Sequence, residues 1–269
     1  MYRLIALATT AALGVAFAPV ADLGADIGAD IGAETSIAVD AAALPTGDAV
    51  IAMIDTGINP YHEVFRDDSD RAYEHPSTYI DGFPADAQAL ELTFDADSYE
   101  DALVADCALW QSVKRGDLYW FPGTKIIGGI SFNYAAVTCS AQGLAGETHI
   151  LDNGGHGTMV ASRAAAANTA VWGACPSCRL VAIEYTGSVR PADPSGSEDA
   201  PIEAIAFAAD HRDWIDVQSN SWGPIVPLYD PTSAGGLLAS NPGFIRAVER
   251  VSAAQPAFWA SGNGAAFRG

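Results

Sequence analysis

Basic residues are scarce in this sequence. Lys and Arg together number 13 against 33 Asp and Glu, giving a formal charge of −20 over 269 residues. A surface of that sign repels nucleic acid and anionic membranes, so neither is expected as a partner. Long apolar runs are also few: beyond the N-terminus none is long enough to span a bilayer. Cysteine is limited to Cys107, Cys139, Cys175 and Cys178. Cys175-Pro176-Ser177-Cys178 is a lone CxxC, and without a second pair or an adjacent His it is a poor zinc signature. The acidic clusters Asp67, Asp68, Asp70 and Asp95, Asp97, Glu100, Asp101 lack the spacing of an EF-hand loop. They still offer hard oxygen ligands, so structural calcium is an expectation while no cofactor is required.

What is present begins with a core. Hydrophobic residues make up 49% of the chain, enough for one large domain or two small ones. Met1-Tyr2-Arg3 is a short basic start, and residues 4–20 are apolar and rich in small side chains. Ala16-Phe17-Ala18 and Ala21 offer cleavage sites, so residues 1–21 read as a secretory signal and the protein as secreted or extracytoplasmic. No stable membrane association is expected unless that signal stays uncleaved as an anchor. Export places the cysteines in an oxidising compartment, where two disulfides are the simple reading. Cys175–Cys178 with Cys107–Cys139 is the preferred pairing, and the other two connectivities remain open. Residues 22–47 open on a four-residue Gly/Asp repeat with no helix or strand period, the composition of a flexible tether. Folded structure is expected from about Asp48.

Residues 49–54 form a continuous apolar run without alternation, the pattern of a strand buried on both faces. Further such runs fall at 125–130, 180–183, 215–217 and 257–259. Helical stretches lie between them at 157–167, 201–211 and 241–254, the last with Pro242 near its start. Strands alternating with helices predict an α/β fold with a mainly parallel sheet and helices on both faces. Residues 66–124 interrupt the rhythm. They are acidic, aromatic and loop-like, and read as an insertion or surface region.

In a parallel sheet, functional groups collect at the carboxyl ends of the strands. Asp55 ends the first run and precedes Thr56-Gly57; a carboxylate there can orient an imidazole, or simply cap a turn. His156 is framed by glycine on both sides at a helix start, a setting that suits a general base. The other histidines, His62, His75, His149 and His211, lack that frame.

The stretch "VIAMIDTGINPYH" resembles the catalytic-aspartate motif of subtilisin-like serine proteases, and "GGHGTMVAS" resembles their catalytic-histidine motif. "GTKIIGGISF", "GACPSCRLVAIE", "VQSNSWG" and "WASGNG" are similar to four further segments of that family, in the family's order. The resemblance implies a subtilisin-like domain over residues 48–269 with an acidic insertion at about 66–124, and polypeptide substrates. It implies that Asp55 holds the imidazole of His156, that His156 moves the proton of a serine hydroxyl, and that Asn263 donates to the oxyanion. Ser221, Trp222 and Gly223 would line the primary specificity pocket and pair with the substrate; a core aromatic is the other reading of Trp222.

The family's nucleophile follows its asparagine in a Gly-Thr-Ser-x-Ala motif. No such motif occurs here: Gly157-Thr158 is followed by Met159, and Gly123-Thr124 by Lys125. Ser221 and Ser261 stand in motifs with other roles. The expectation is an exported endopeptidase whose Ser-bearing C-terminal segment is absent from this chain, so that the chain alone is inactive and leaves a sheet edge uncovered. Two further departures are the short stretch before the first strand, with no room for a sizeable pro-domain, and the 101 positions between Asp55 and His156. The alternative is a non-catalytic short form that binds peptides or a partner protease along residues 221–223.

Overall fold

The first apolar run becomes strand β1, Val50–Asp55, an interior strand flanked by neighbours on both sides. The computed structural model describes residues 49–133, 137–140, 143–146, 150–152, 154–168, 171–185, 200–222 and 242–260. The expected signal at 1–21 and tether at 22–47 lie outside them. After β1 come β2 (Gln88–Ala89), α1 (Tyr99–Ala105), α2 (Cys107–Ser112), β3 (Tyr119–Trp120) and β4 (Ile126–Ser131). A separate hairpin follows, β5 (Val137–Ser140) antiparallel to β6 (Gly143–Gly146). The remainder is α3 (His156–Ala165), β7 (Arg179–Glu184), α4 (Ala200–Asp210), β8 (Val217–Asn220), α5 (Pro242–Ala254) and β9 (Ala257–Trp259).

Among the described residues, seven strands form one sheet in the order β2-β3-β4-β7-β1-β8-β9. All neighbouring pairs are parallel except β3 with β4. This is the mainly parallel α/β architecture that the unalternating runs predict. Val50, Ala52 and Ile54 of β1 pack with Val181 and Ile183 of β7 against α4 and α5, through Ala204, Ala208, Ala247 and Val251. Met53 packs on the opposite face with Leu180 and Ala182 against Ala161, Ala164 and Ala165 of α3. With a helix layer on each face, β1 is buried on both sides apart from the partly exposed Ile51 near its start, so no polar residue is required until the strand ends. Each fully buried Ile, Val or Leu contributes about 1.5–3 kcal/mol.

Two differences from the sequence reading have clear causes. Strand β8 lies at Val217–Asn220 rather than over the apolar 215–217 run, since Ile215 closes the turn after α4 by donating its N–H to His211 O at 2.8 Å. The strand itself is polar yet central: Gln218 is fully buried and donates Nε2 to Ile205 O at 3.3 Å. Residues 66–124 are also more than a loop-like surface. Leu90, Trp110, Val113, Tyr119 and Phe121 join the core under α3, and Ile80, Phe83 and Trp120 join the core under α4. Most acids of this stretch face water, Asp106 excepted, while Trp110, Tyr119, Trp120 and Phe121 are buried, a division that composition averages away. Among the described residues, no helix is long and apolar enough to cross a membrane.

The register aligns the strand ends. Asp55 stands beside Glu184 of β7, Glu184 beside Ser131 of β4, and Ile54 beside Asn220 of β8. Ser131, Glu184, Asp55 and Asn220 are all buried, so the apolar centre gives way to a polar rim at the carboxyl ends.

Candidate active site

Asp55 leaves the sheet at 2% exposure, and the chain must turn at once to clear β7 and β8. It does so through Gly57, whose φ of +97° disfavours any side chain and whose Cβ would stand 2.1 Å from Ile150 O. That carbonyl accepts the Ile58 N–H at 3.1 Å, which fastens the segment before α3 to the exit of β1. Gly155 then caps α3 in the left-handed region, at φ +78°. Gly157 lets the first turn of α3 approach so closely that a Cβ there would stand 2.1 Å from Gly57 O. These two close approaches set His156 against Asp55.

His156 Nδ1 lies 2.7 Å from Asp55 Oδ1, the ring nitrogen donating when the carboxyl is ionised. The same oxygen accepts the Thr56 N–H at 2.8 Å. The imidazole is 47% exposed over a carboxylate that is 2% exposed. Among the described residues nothing hydrogen-bonds to His156 Nε2 or to Asp55 Oδ2. Burial pushes the Asp55 carboxyl above its usual range, and His156 and Thr56 pull it part of the way back. Tyr185, the residue after β7, is held protonated by burial and by the charges of Asp55 and Glu184.

A second carboxylate organises this corner. Asp152 is 5% exposed, and its Oδ1 accepts Thr56 Oγ1 at 2.8 Å, Gly154 N at 3.0 Å and Gly155 N at 2.8 Å. Its Oδ2 accepts Thr158 N at 2.8 Å, in the first turn of α3. Thr56 Oγ1 in turn accepts Gly157 N at 2.9 Å. A carboxylate at a helix N-terminus satisfies free N–H groups and suits the helix dipole. Sequence reasoning passed over Asp152 and Thr56. The available signal was an Asp directly ahead of a glycine turn and a helix start.

Of the other residues singled out, Ser221 and Trp222 follow β8, next to β1. Trp222 packs with Tyr185, Trp259 and Phe244, ring centroids at 4.7, 5.7 and 6.2 Å, so the aromatic belongs to a cluster at this end of the sheet. Gly223, Ser261 and Asn263 lie outside the described residues. Strand β9, which leads toward Asn263, is followed beside β8 as far as Ala260, whose N–H donates to Asn220 O at 2.9 Å. Cys107 is bonded to Cys139 and Cys175 to Cys178, with Cα separations of 5.7 and 5.3 Å. Among the described residues, no group of three or more His, Cys, Asp or Glu side chains could hold a metal ion. Asp67 of the first acidic cluster is committed to Arg179, an ion pair at the start of β7.

A buried carboxylate that grips one nitrogen of a half-exposed imidazole can keep the other nitrogen free to take a proton. The arrangement is therefore suited to general-base chemistry on a group brought up from the solvent side. The family model described as "Peptidase_S8: Subtilase family" matches residues 46–268. No curated protein matches the chain.

Proposed function

The chain belongs to the subtilase family, serine peptidases that cut polypeptides, and from that premise we propose that Asp55 and His156 are two members of an Asp-His-Ser triad. The observation that supports this most is the 2.7 Å contact between a buried carboxylate and a half-exposed imidazole at the carboxyl end of β1. Asp55 fixes the tautomer with hydrogen on Nδ1, so Nε2 can take the proton of a serine hydroxyl as it attacks the scissile carbonyl. Asp55 then stabilises the imidazolium, and His156 returns the proton to the leaving amine. Asn263 donates its amide to the oxyanion, the kind of interaction that is worth about 10²–10³ in kcat in a subtilisin. Residues 221–223 hold the substrate through backbone groups as an added strand.

The protein acts after export, and its serine lies on a segment outside these 269 residues. The 269-residue chain alone is therefore inactive on peptides. A fluorophosphonate probe applied to the native secreted protein tests the whole reading, because labelling requires an activated serine. The expected result is labelling that His156→Ala abolishes. Native protein that takes no label overturns the catalytic reading, and peptide turnover by the 269-residue chain overturns the assignment of the serine to another segment.

A further inference from the structure

Between the loop that follows β1 and the stretch leading into α1 lies an open cavity of about 510 Å³. Asn59, Tyr61 and Glu63 line one side, and Phe94, Asp97 and Tyr99 the other. It adjoins the proposed catalytic pair: the Asn59 N–H donates to Thr158 Oγ1 at 2.9 Å, two residues beyond His156.

Tyr61 is its fixed centre. The hydroxyl donates to Asp106 Oδ2 at 2.7 Å and accepts Trp110 Nε1–H at 2.9 Å. Asp106 is itself 5% exposed and takes both the Thr93 N–H and hydroxyl, at 2.7 and 2.6 Å. Phe94 and Tyr99 stand edge-on to the Tyr61 ring at 6.0 and 5.7 Å. The result is a box of aromatic rings held in place by a buried network. Glu63 and Asp97 are exposed carboxylates on its wall, and among the described residues no Lys or Arg lines it. His62 also lines the cavity, and its Nδ1 accepts the Val64 N–H at 3.4 Å. The Arg66 guanidinium stacks on the Phe94 ring, 3.3 Å from its centroid, so the Tyr61 and Tyr99 rings and the two carboxylates carry the attraction for an incoming cation.

Aromatic faces and carboxylates around one space favour a cation with an aliphatic stem. The rings bind the charge through their quadrupoles and the stem through apolar contact, while the carboxylates complete the pairing. An uncharged apolar side chain leaves the carboxylates unanswered. An acidic one meets Glu63, Asp97 and a chain of net charge −20. We propose that this cavity is a subsite for a lysine or arginine side chain of a peptide lying in the cleft. The inference rests on the polypeptide-substrate reading above.

The test is fluorescence anisotropy with short alanine-rich peptides carrying one central residue: arginine, its neutral isostere citrulline, or norleucine. The arginine peptide should bind the full chain about tenfold more tightly than the citrulline peptide. In the Glu63→Gln, Asp97→Asn double variant that advantage should shrink below about twofold, with citrulline affinity unchanged. Both substitutions are at exposed positions, and an unchanged unfolding midpoint verifies the fold. Should the variant prove unstable, raising the ionic strength on the unmodified chain must erase the same advantage. Equal binding of arginine and citrulline peptides, binding of neither, or an advantage that survives both treatments overturns the proposal. Fluorophosphonate labelling reads the catalytic reading separately. Labelling without arginine preference removes only the subsite, and arginine preference without labelling removes only the enzyme.

Discussion

Replacing Asp55 by Asn removes a carboxyl that burial holds above its usual range, yet keeps an acceptor for the Thr56 N–H. A raised folded-state pKa means that the folded protein binds this proton more tightly than the unfolded chain. The cost of ionisation is therefore full above the folded pKa and absent below the unfolded one. Asp55→Asn should leave the fold as stable or more so, with a larger gain near pH 7 than near pH 3, read as a denaturant midpoint. Peptidase activity of the full-length enzyme should fall about 10⁴-fold, because the imidazole loses its fixed tautomer. Asp152 makes a different case. Its Asn variant turns an amide N–H toward the Thr158 N–H, so α3 should lose about 1–2 kcal/mol at its start. As Asp152 acts through the backbone around His156, kcat should drop with KM little changed, and the pH–rate profile should move. An unmoved profile would leave Asp152 a purely structural cap.

Helix α3 offers a prediction of unusual sign. Gly→Ala inside an exposed helix ordinarily stabilises by about 1 kcal/mol. At Gly157 the new Cβ would meet Gly57 O at 2.1 Å, so Gly157→Ala should instead cost about 1–3 kcal/mol and shift His156 from Asp55. Thermal unfolding beside activity checks both parts. Strand β7 is anchored at its start by Arg179, 8% exposed, paired with Asp67. Burial opposes the charge on Asp67, but Ser69 and Arg179 outweigh it and hold the carboxyl below its usual range. That contribution is present above the unfolded pKa of about 3.9 and is lost as pH falls through the lower folded value. Asp67→Ala should cost about 1.5–3 kcal/mol near pH 7 because it removes the carboxylate paired with a mostly buried guanidinium, and the penalty should shrink in acid below pH ~4. Elements of this kind were legible in part. The strands with an apolar interior, β1, β4, β7 and β9, announce themselves, while β8 does not, because its buried Gln218 and Asn220 find their place only beside β1 and β9.

For the whole molecule, the two cysteine pairs should contribute unequally. Cys107 and Cys139 are 32 positions apart, and Cys175 and Cys178 only three. Chain-entropy reasoning gives about 3–4 kcal/mol for the first closure and about 2 kcal/mol for the second. Paired Cys→Ala variants compared by denaturant midpoint should show that order. The first bridge joins α2 to the β5–β6 hairpin, two parts with no apolar strand to hold them together.

Periodicity by itself determined the class of this protein. Runs of apolar residues without alternation require a sheet covered on both faces, and that requires parallel strands with intervening helices. Motifs named Asp55 and His156 as chemistry, 101 positions apart. What only the tertiary structure decided is the support beneath them. The four groups that donate to Asp152 come from residues 56, 154, 155 and 158, and the box around Tyr61 draws on residues 94, 99, 106 and 110. The Asp152 donors fall within the two motifs, yet nothing in those motifs points to Asp152, and the Tyr61 set has neither period nor motif, because a hydrogen-bond network is satisfied by distance in space and leaves no spacing along the chain.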